Sequence, residues 1–413
     1  MASIANPVLT FAIVPRVAAF CSIVGSSLIV AEVSLSERKR NRCYHRIMFG
    51  MSICDIIASI CYFLGRWPLP SDAAFLAGGV GTQETCTAQG FFGQSVLATV
   101  SYNAVLSIYY LLVVTFGWRE DRLKKYEPLF HSVPLGVWLG TGISGIVLEI
   151  FNPAFFNCWI APYPINCAAY GEIGDDRPPC TRGYLAPIFQ WAFFYAPIWA
   201  IIFAVSVIMF IVYWSVLKVE RKNDRYSIQF TARQDSSIEF CKTDGSIRSA
   251  SLISRKYSRK VASQGLWYLL PFYITWIFAV ATELTEIFTG KYYDPLVVLV
   301  SFFVPFQGFL NFIVYKRPLF VQYREIHPDW SLPTTMWSAI VGGLRENEHK
   351  KFIVSDHEPR KRASGISSAL KRAPSKIYLT DEEVGSAEDA SKVSGSCGCD
   401  SGDDETDFPV APF

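Results

Sequence analysis

The chain has 413 residues, of which 51% are hydrophobic, 15% aromatic and only 18% charged, whereas soluble domains carry about 25% charged residues. A soluble protein of this size would need a charged surface that this composition does not supply, which argues against an ordinary cytosolic enzyme. The net charge of +2 gives no reason to expect a nucleic-acid partner, and a mean hydropathy of +0.25 means that polar segments dilute strongly apolar ones.

A charge at the bilayer centre costs roughly 2.5–3.5 kcal/mol on insertion scales, and a spanning helix needs about 20 mostly apolar residues. Residues 47–65 hold one charge, Asp55; residues 85–118, 128–148, 183–217, 261–282 and 295–315 hold none. A seventh span near the start is interrupted by Arg16 and ended by Glu32. Helices are therefore expected at about 8–33, 47–65, 88–116, 131–151, 185–214, 262–284 and 295–315. The stretches 85–118 and 183–217 exceed one span, so each includes polar loop or helix beyond the bilayer. The first segment has no basic residue before its apolar run, which suits an uncleaved anchor better than a signal peptide. Arg16 is expected at the outer interface with its stem snorkelling to water; the sharper alternative pairs it with Glu283, Glu286 or an anionic ligand.

Lys and Arg in the connecting loops orient the bundle. Loops 36–46, 119–127 and 218–260 together hold twenty, and the alternate loops hold four: Arg66, Arg177, Arg182 and Lys291. The expected fold is an all-α membrane protein, a seven-transmembrane helix bundle with its N-terminus outside and its C-terminus cytoplasmic. Residues 1–318 form the seven-helix domain, and 319–413 form a mostly disordered cytoplasmic tail.

Under this topology Cys86, Cys158, Cys167 and Cys180 face an oxidising compartment, while Cys43, Cys241, Cys397 and Cys399 face a reducing one. Four external cysteines allow three pairings. The favoured one ties Cys86 at the start of helix 3 to Cys158 and joins Cys167 to Cys180; free thiols are the alternative. Cys397-Gly-Cys399 reads as exposed thiols rather than a metal or lipid site.

Helix 7 ends Pro305-Phe306-Gln307-Gly308-Phe309-Leu310-Asn311-Phe312-Ile313-Val314-Tyr315, followed by Lys316-Arg317-Pro318. Other strings occur in order: Met51-Ser52-Ile53-Cys54-Asp55, Cys86-Thr87-Ala88-Gln89-Gly90-Phe91-Phe92, Cys158-Trp159-Ile160, Phe194-Tyr195-Ala196-Pro197-Ile198-Trp199 and Tyr273-Ile274-Thr275-Trp276. Over about residues 10–318 the chain resembles the cyclic-AMP-receptor-like seven-helix receptors, which are related to the secretin and adhesion receptors. It departs from the larger rhodopsin-like family: helix 3 lacks an Asp-Arg-Tyr end, Asn311 is not followed by Pro, and helix 6 lacks Cys-Trp-x-Pro. The resemblance implies a plasma-membrane G-protein-coupled receptor, with a heterotrimeric G protein and an unknown extracellular ligand as partners and no cofactor.

Intramembrane ionisable residues are functional candidates by default. Asp55 is expected to form a polar switch with Asn311, with a sodium ion or proton as possible guest; a folding role in the bundle core is the alternative. Tyr315 and Pro271 are grouped with the switch, and Pro197 is a second flex point. Small-molecule sites in bundles lie between helices, so Gln94, Tyr102, Asn103, Gln190, Trp191, Tyr195, Trp276 and Glu283 are candidate ligand contacts, although most such aromatics are packing or belt residues. Arg119, Arg122, Lys124 and Lys125 are expected to face the G protein; the positive-inside rule and attraction to anionic lipid would place the same charges there.

The tail begins with a stretch, through about Pro328, expected along the membrane. Residues 335–344 are too short to span but suit a surface helix. Beyond them, 350–376 hold eight Lys or Arg and 381–413 hold ten acids, a pattern of disorder. Ser364 follows Arg360-Lys361-Arg362-Ala363, a basic-directed kinase context, with arrestin-like proteins as further partners; Ser249 and Ser251 are weaker candidates. Among rivals, a retinal protein needs a Lys within helix 7, and 295–315 contain none. A membrane enzyme would need motifs that are missing here, since neither His-Glu-x-x-His nor Gly-x-Ser-x-Gly occurs. A transporter or channel without G-protein coupling is the remaining alternative, although no inverted repeat is visible.

Overall fold

The computed structural model describes residues 7–71, 78–154, 157–164, 167–170, 178–234, 267, 270–290 and 293–342. Ser249, Ser251, Ser364, Arg177, Lys291, Cys241, Cys397, Cys399 and the charge blocks of the tail lie outside the described residues.

Among the described residues, six helices are long and apolar enough to cross a membrane: α1 (Pro7–Leu35), α2 (Cys43–Leu64), α3 (Gln83–Thr115), α4 (Glu120–Val147), α5 (Ala186–Lys218) and α6 (Leu270–Thr289). A seventh span, α7, is a bent pair, Asp294–Phe303 and Gln307–Ile326, inclined by 51°. Pro305 sits in the break; it has no N–H to continue the helical ladder, so the bend falls there. The chain is an integral multi-pass membrane protein with a seven-helix bundle. α1 packs on α2 and α7, and α3 packs on α2, α4 and α5.

Two π-helical segments interrupt regular helix, Leu111–Thr115 at the end of α3 and Trp191–Tyr195 in α5. Pro197 explains the second: it cannot donate to the carbonyl four residues earlier, and the wider turn absorbs the gap. α5 continues beyond the span as helix to Gln234.

Between α4 and α5 a short antiparallel hairpin, β1 (Phe151–Pro153) and β2 (Cys158–Ile160), aligns Phe151 with Ile160 and Pro153 with Cys158. It is fastened to α3 at three points. The Cys86–Cys158 disulfide joins them, the Gln89 side-chain carbonyl accepts from the Cys158 amide at 2.9 Å, and the Gln83 amide donates to the Phe151 carbonyl at 3.0 Å. The Phe151 ring lies between α3 and α4, where a Cβ on Gly90 or Gly145 would stand 2.6 or 2.5 Å from it. Both positions therefore require glycine. A second disulfide, Cys167–Cys180, closes the loop after β2. The pairing favoured by the sequence is thus the one present.

α7 does not stop near Tyr315. It runs on through Pro318 to Ile326, and a further helix, α8 (332–342), follows a tight turn. In that turn the Trp330 ring stacks on His327 at 4.0 Å, and the Ser331 hydroxyl caps α8 by accepting from the Thr334 amide. α8 then folds back, bringing Ala339 and Ile340 beside Lys316. The stretch to Pro328, expected along the membrane, is instead an extension of α7. Pro318 is tolerated because the helix continues on either side of it, and the stacked turn supplies the stop.

Candidate functional site

The buried polar residues form a spine along α1, α2, α3 and α7. Asp55, on α2, is 5% exposed. Its carboxylate accepts from the Asn311 side-chain amide at 3.1 Å, which joins α2 to α7 as the sequence suggested. Gly308 brings α7 against α1: its amide donates to the Ser22 hydroxyl at 3.1 Å, and a Cβ there would strike the Ser22 and Ser26 hydroxyls and approach the Asp55 Cβ to 3.3 Å. Ser59 and Ser22 share a hydrogen bond of 2.9 Å, and the Ser95 hydroxyl donates to the Cys54 carbonyl at 3.3 Å. Ser26 Oγ, Ser52 Oγ and Asn311 Oδ1 are buried in this group without a protein hydrogen bond, as are both side-chain atoms of Gln94 and Gln307. These glutamines flank interruptions in α3 and α7. Spare hydrogen-bonding capacity is thus concentrated around one carboxylate, where burial of an unsatisfied polar group carries a cost.

One helical turn further, the Tyr315 hydroxyl meets His45 Nδ1 at 3.0 Å, and its ring stacks on Tyr44. Pro271 is buried near the start of the described part of α6.

Apart from Gln94, which belongs to the buried polar group above, the pocket candidates separate into two groups. Glu283 is 7% exposed and accepts a hydrogen bond from Tyr195 across the α5–α6 interface. The Tyr195 ring lies 6.0 Å from Trp159 of β2. Phe194 bridges Trp159 at 5.0 Å to Trp276 at 6.2 Å. The Trp276 indole N–H is buried without a partner and sits two turns from Glu283 on the same face of α6. Gln190, one turn before Phe194, donates to the Ile160 carbonyl at 2.7 Å.

The other candidates point elsewhere. The Tyr102 hydroxyl passes over Gly50 to His131 Nδ1 at 3.0 Å, which directs it toward α2 and α4. The Asn103 side chain bonds its own helix at the Thr99 carbonyl. Trp191 is exposed on the outside of α5. Arg16 neither pairs with Glu283 nor simply snorkels. Its guanidinium donates to the Phe63 and Leu64 carbonyls at 3.2 and 3.4 Å and lies 4.7 Å over Trp67, so it caps the end of α2.

At the opposite end of α3 from the disulfide, Arg119, Arg122, Lys124 and Lys125 are exposed, with Arg122 over the Trp118 ring at 4.5 Å. Two acids of this segment, Glu120 and Glu127, turn inward instead. Glu120 accepts from the Cys43 amide and Glu127 pairs with Arg46, fastening the starts of α2 and α4 together.

Sequence reasoning missed a buried charge group at this end. Glu32 pairs with Lys39 at 2.6 Å and with Lys316. Glu32 and Lys316 each bound a charge-free run, so each reads in sequence as the end of a span. Nothing local signals that the two meet.

No family model matches the sequence, and neither does any curated protein. Among solved structures the fold is similar to the crystal structure of squid rhodopsin, with a TM-score of 0.53 and 11% sequence identity over 79% of this chain and 86% of that one. The chain therefore has a rhodopsin-like seven-helix fold.

Proposed function

We propose that this protein is a plasma-membrane G-protein-coupled receptor of the cyclic-AMP-receptor-like, secretin- and adhesion-related branch. In this reading the disulfide end faces outward and the basic end faces the cytoplasm. The observation that carries the reading is the buried Asp55–Asn311 contact. It joins α2 to α7 just beyond the α7 bend, between an aromatic, acid-lined interface at one end and exposed basic residues at the other. A ligand reaching Tyr195, Trp276, Glu283 and Gln94 would favour one arrangement of α5 and α6 over another. The equilibrium between arrangements then shifts by its differential affinity. Asp55 and Asn311, with Tyr315 and Pro271, relay that shift along the bundle; a proton or small cation at Asp55 would alter the charge of the relay. Arg119, Arg122, Lys124 and Lys125 meet the heterotrimeric G protein. Ser364 is a kinase acceptor whose phosphate would add negative charge among basic residues and present a site to arrestin-like proteins.

The described lining supplies a carboxylate and aromatic faces, and Arg16 is committed to capping α2. This favours a ligand that donates hydrogen bonds or carries positive charge over an anionic one.

The purified full-length protein in nanodiscs, assayed against a panel of heterotrimeric G proteins and small molecules, is expected to accelerate guanine-nucleotide exchange. Substrate flux through reconstituted vesicles without any exchange activity would replace this reading with a transporter. A glycan acceptor placed in loop 168–179 is expected to be modified; its protection would reverse the orientation.

A further inference from the structure

Lys316 is buried, lies on α7, and has no part in the relay just described. Its ammonium group pairs with Glu32 of α1 and donates to the Ala339 and Ile340 carbonyls, each at 3.3 Å. Those carbonyls belong to the last described turn of α8. α8 also buries Thr335 and Ala339 completely against the bundle, while Trp337 on its other side is exposed. A single buried cation thus joins α1, α7 and the fold-back helix.

The same helix carries two further contacts, Asn311 to Asp55 and Tyr315 to His45. Lys316 follows Tyr315 directly. Any movement of α7 that breaks the Asp55 contact must also pull on Lys316.

Lys39 gives this arrangement a second property. It holds the other carboxylate oxygen of Glu32. If Lys316 withdraws, Glu32 keeps a cation, and no buried carboxylate is stranded. The group can therefore open without the large penalty of an unpaired buried charge.

We propose that Glu32, Lys39 and Lys316 form a charge latch, and that α8 is an autoinhibitory strap which this latch holds against the bundle to restrain α7. The mechanical part stands on the geometry alone; its signalling consequence rests on the receptor reading.

The test is hydrogen–deuterium exchange on the full-length protein in nanodiscs, followed by ligand-free nucleotide exchange on the same samples. Lys316→Met is expected to speed amide exchange across 332–342 by about tenfold and to speed it in 307–318 as well. Ala339→Arg unseats the strap while leaving every charged residue in place, so it gives the same answer if Lys316→Met fails to fold. Both variants are expected to raise ligand-free nucleotide exchange above wild type. Faster exchange in 332–342 with no change in 307–318 would overturn the restraint on α7. Unchanged 332–342 in both variants would overturn the latch itself. If amide exchange rises in both segments but no variant or wild-type sample acts on any G protein, the receptor reading falls and the mechanical latch stands.

Discussion

The two sides of the bundle are built differently. The side made by α1, α2 and α7 is tied by polar contacts between helices: Ser22–Ser59, Asp55–Asn311, His45–Tyr315 and Glu32–Lys316. The side made by α5 and α6 is joined by aromatic packing, the Tyr195–Glu283 hydrogen bond and a contact between Ser206 and Tyr273. Burial differs in the same sense. Within its most apolar stretch, α2 is 50% buried in the protein and α5 only 17%. Buried polar contacts are demanding in geometry, because breaking one strands a group away from water. Packing among rings tolerates sliding. The contrast assigns stability to the first side, where α7 is held by its latch, and the larger movement to the second.

The contrast can be broken or sharpened by substitution. The largest effect is expected from Glu32→Ala, which leaves two lysines without their carboxylate and should cost about 3–5 kcal/mol in chemical unfolding. Cys86→Ser should cost about 2–5 kcal/mol by releasing the hairpin from α3, read by thermal unfolding under oxidising conditions. Asp55→Asn keeps the hydrogen-bonding shape but removes a buried charge. Its unfolding free energy should stay within about 1 kcal/mol of wild type, while basal or ligand-driven nucleotide exchange changes clearly. Equal losses of surface expression and signalling would instead assign Asp55 a folding role. The smallest effect is expected from Tyr195→Phe, which loses one hydrogen bond across α5–α6, about 1 kcal/mol in stability, while altering the response. If Tyr195→Phe destabilises as much as Glu32→Ala, the division into a fixed and a moving side fails.

Much of this organisation is legible in the sequence because the bilayer filters charge. Runs without Asp, Glu, Lys or Arg mark the spans, and Asp55 stands out as an exception, as does Arg16 in the first span. The cysteines are legible because four of them fall in the loops poor in Lys and Arg. What could not be read depends on helical phase and on distant meetings. Tyr102 and Trp276 are equally apolar in sequence, yet Tyr102 turns toward Gly50 and His131 while Trp276 faces Phe194. Glu32 and Lys316 are separated by 284 residues, and each has an ordinary local explanation. The fold-back of α8 was hidden for a similar reason. Its apolar residues suit a membrane surface, and only the return to Lys316 shows that part of that face is buried in the protein.

The central claim is that α5 and α6 move at the basic end against a fixed α1–α2 pair when a G protein binds. Spin labels at exposed positions test it directly, with one pair at Lys218 on α5 and Lys125 on α4, and a reference pair at Arg40 and Lys125. Distances are measured with and without nucleotide-free heterotrimeric G protein. The Lys218–Lys125 distance is predicted to shift by several ångströms while the Arg40–Lys125 distance holds. A shift confined to the Arg40 pair, or no shift in either pair with the G protein bound, would contradict the account.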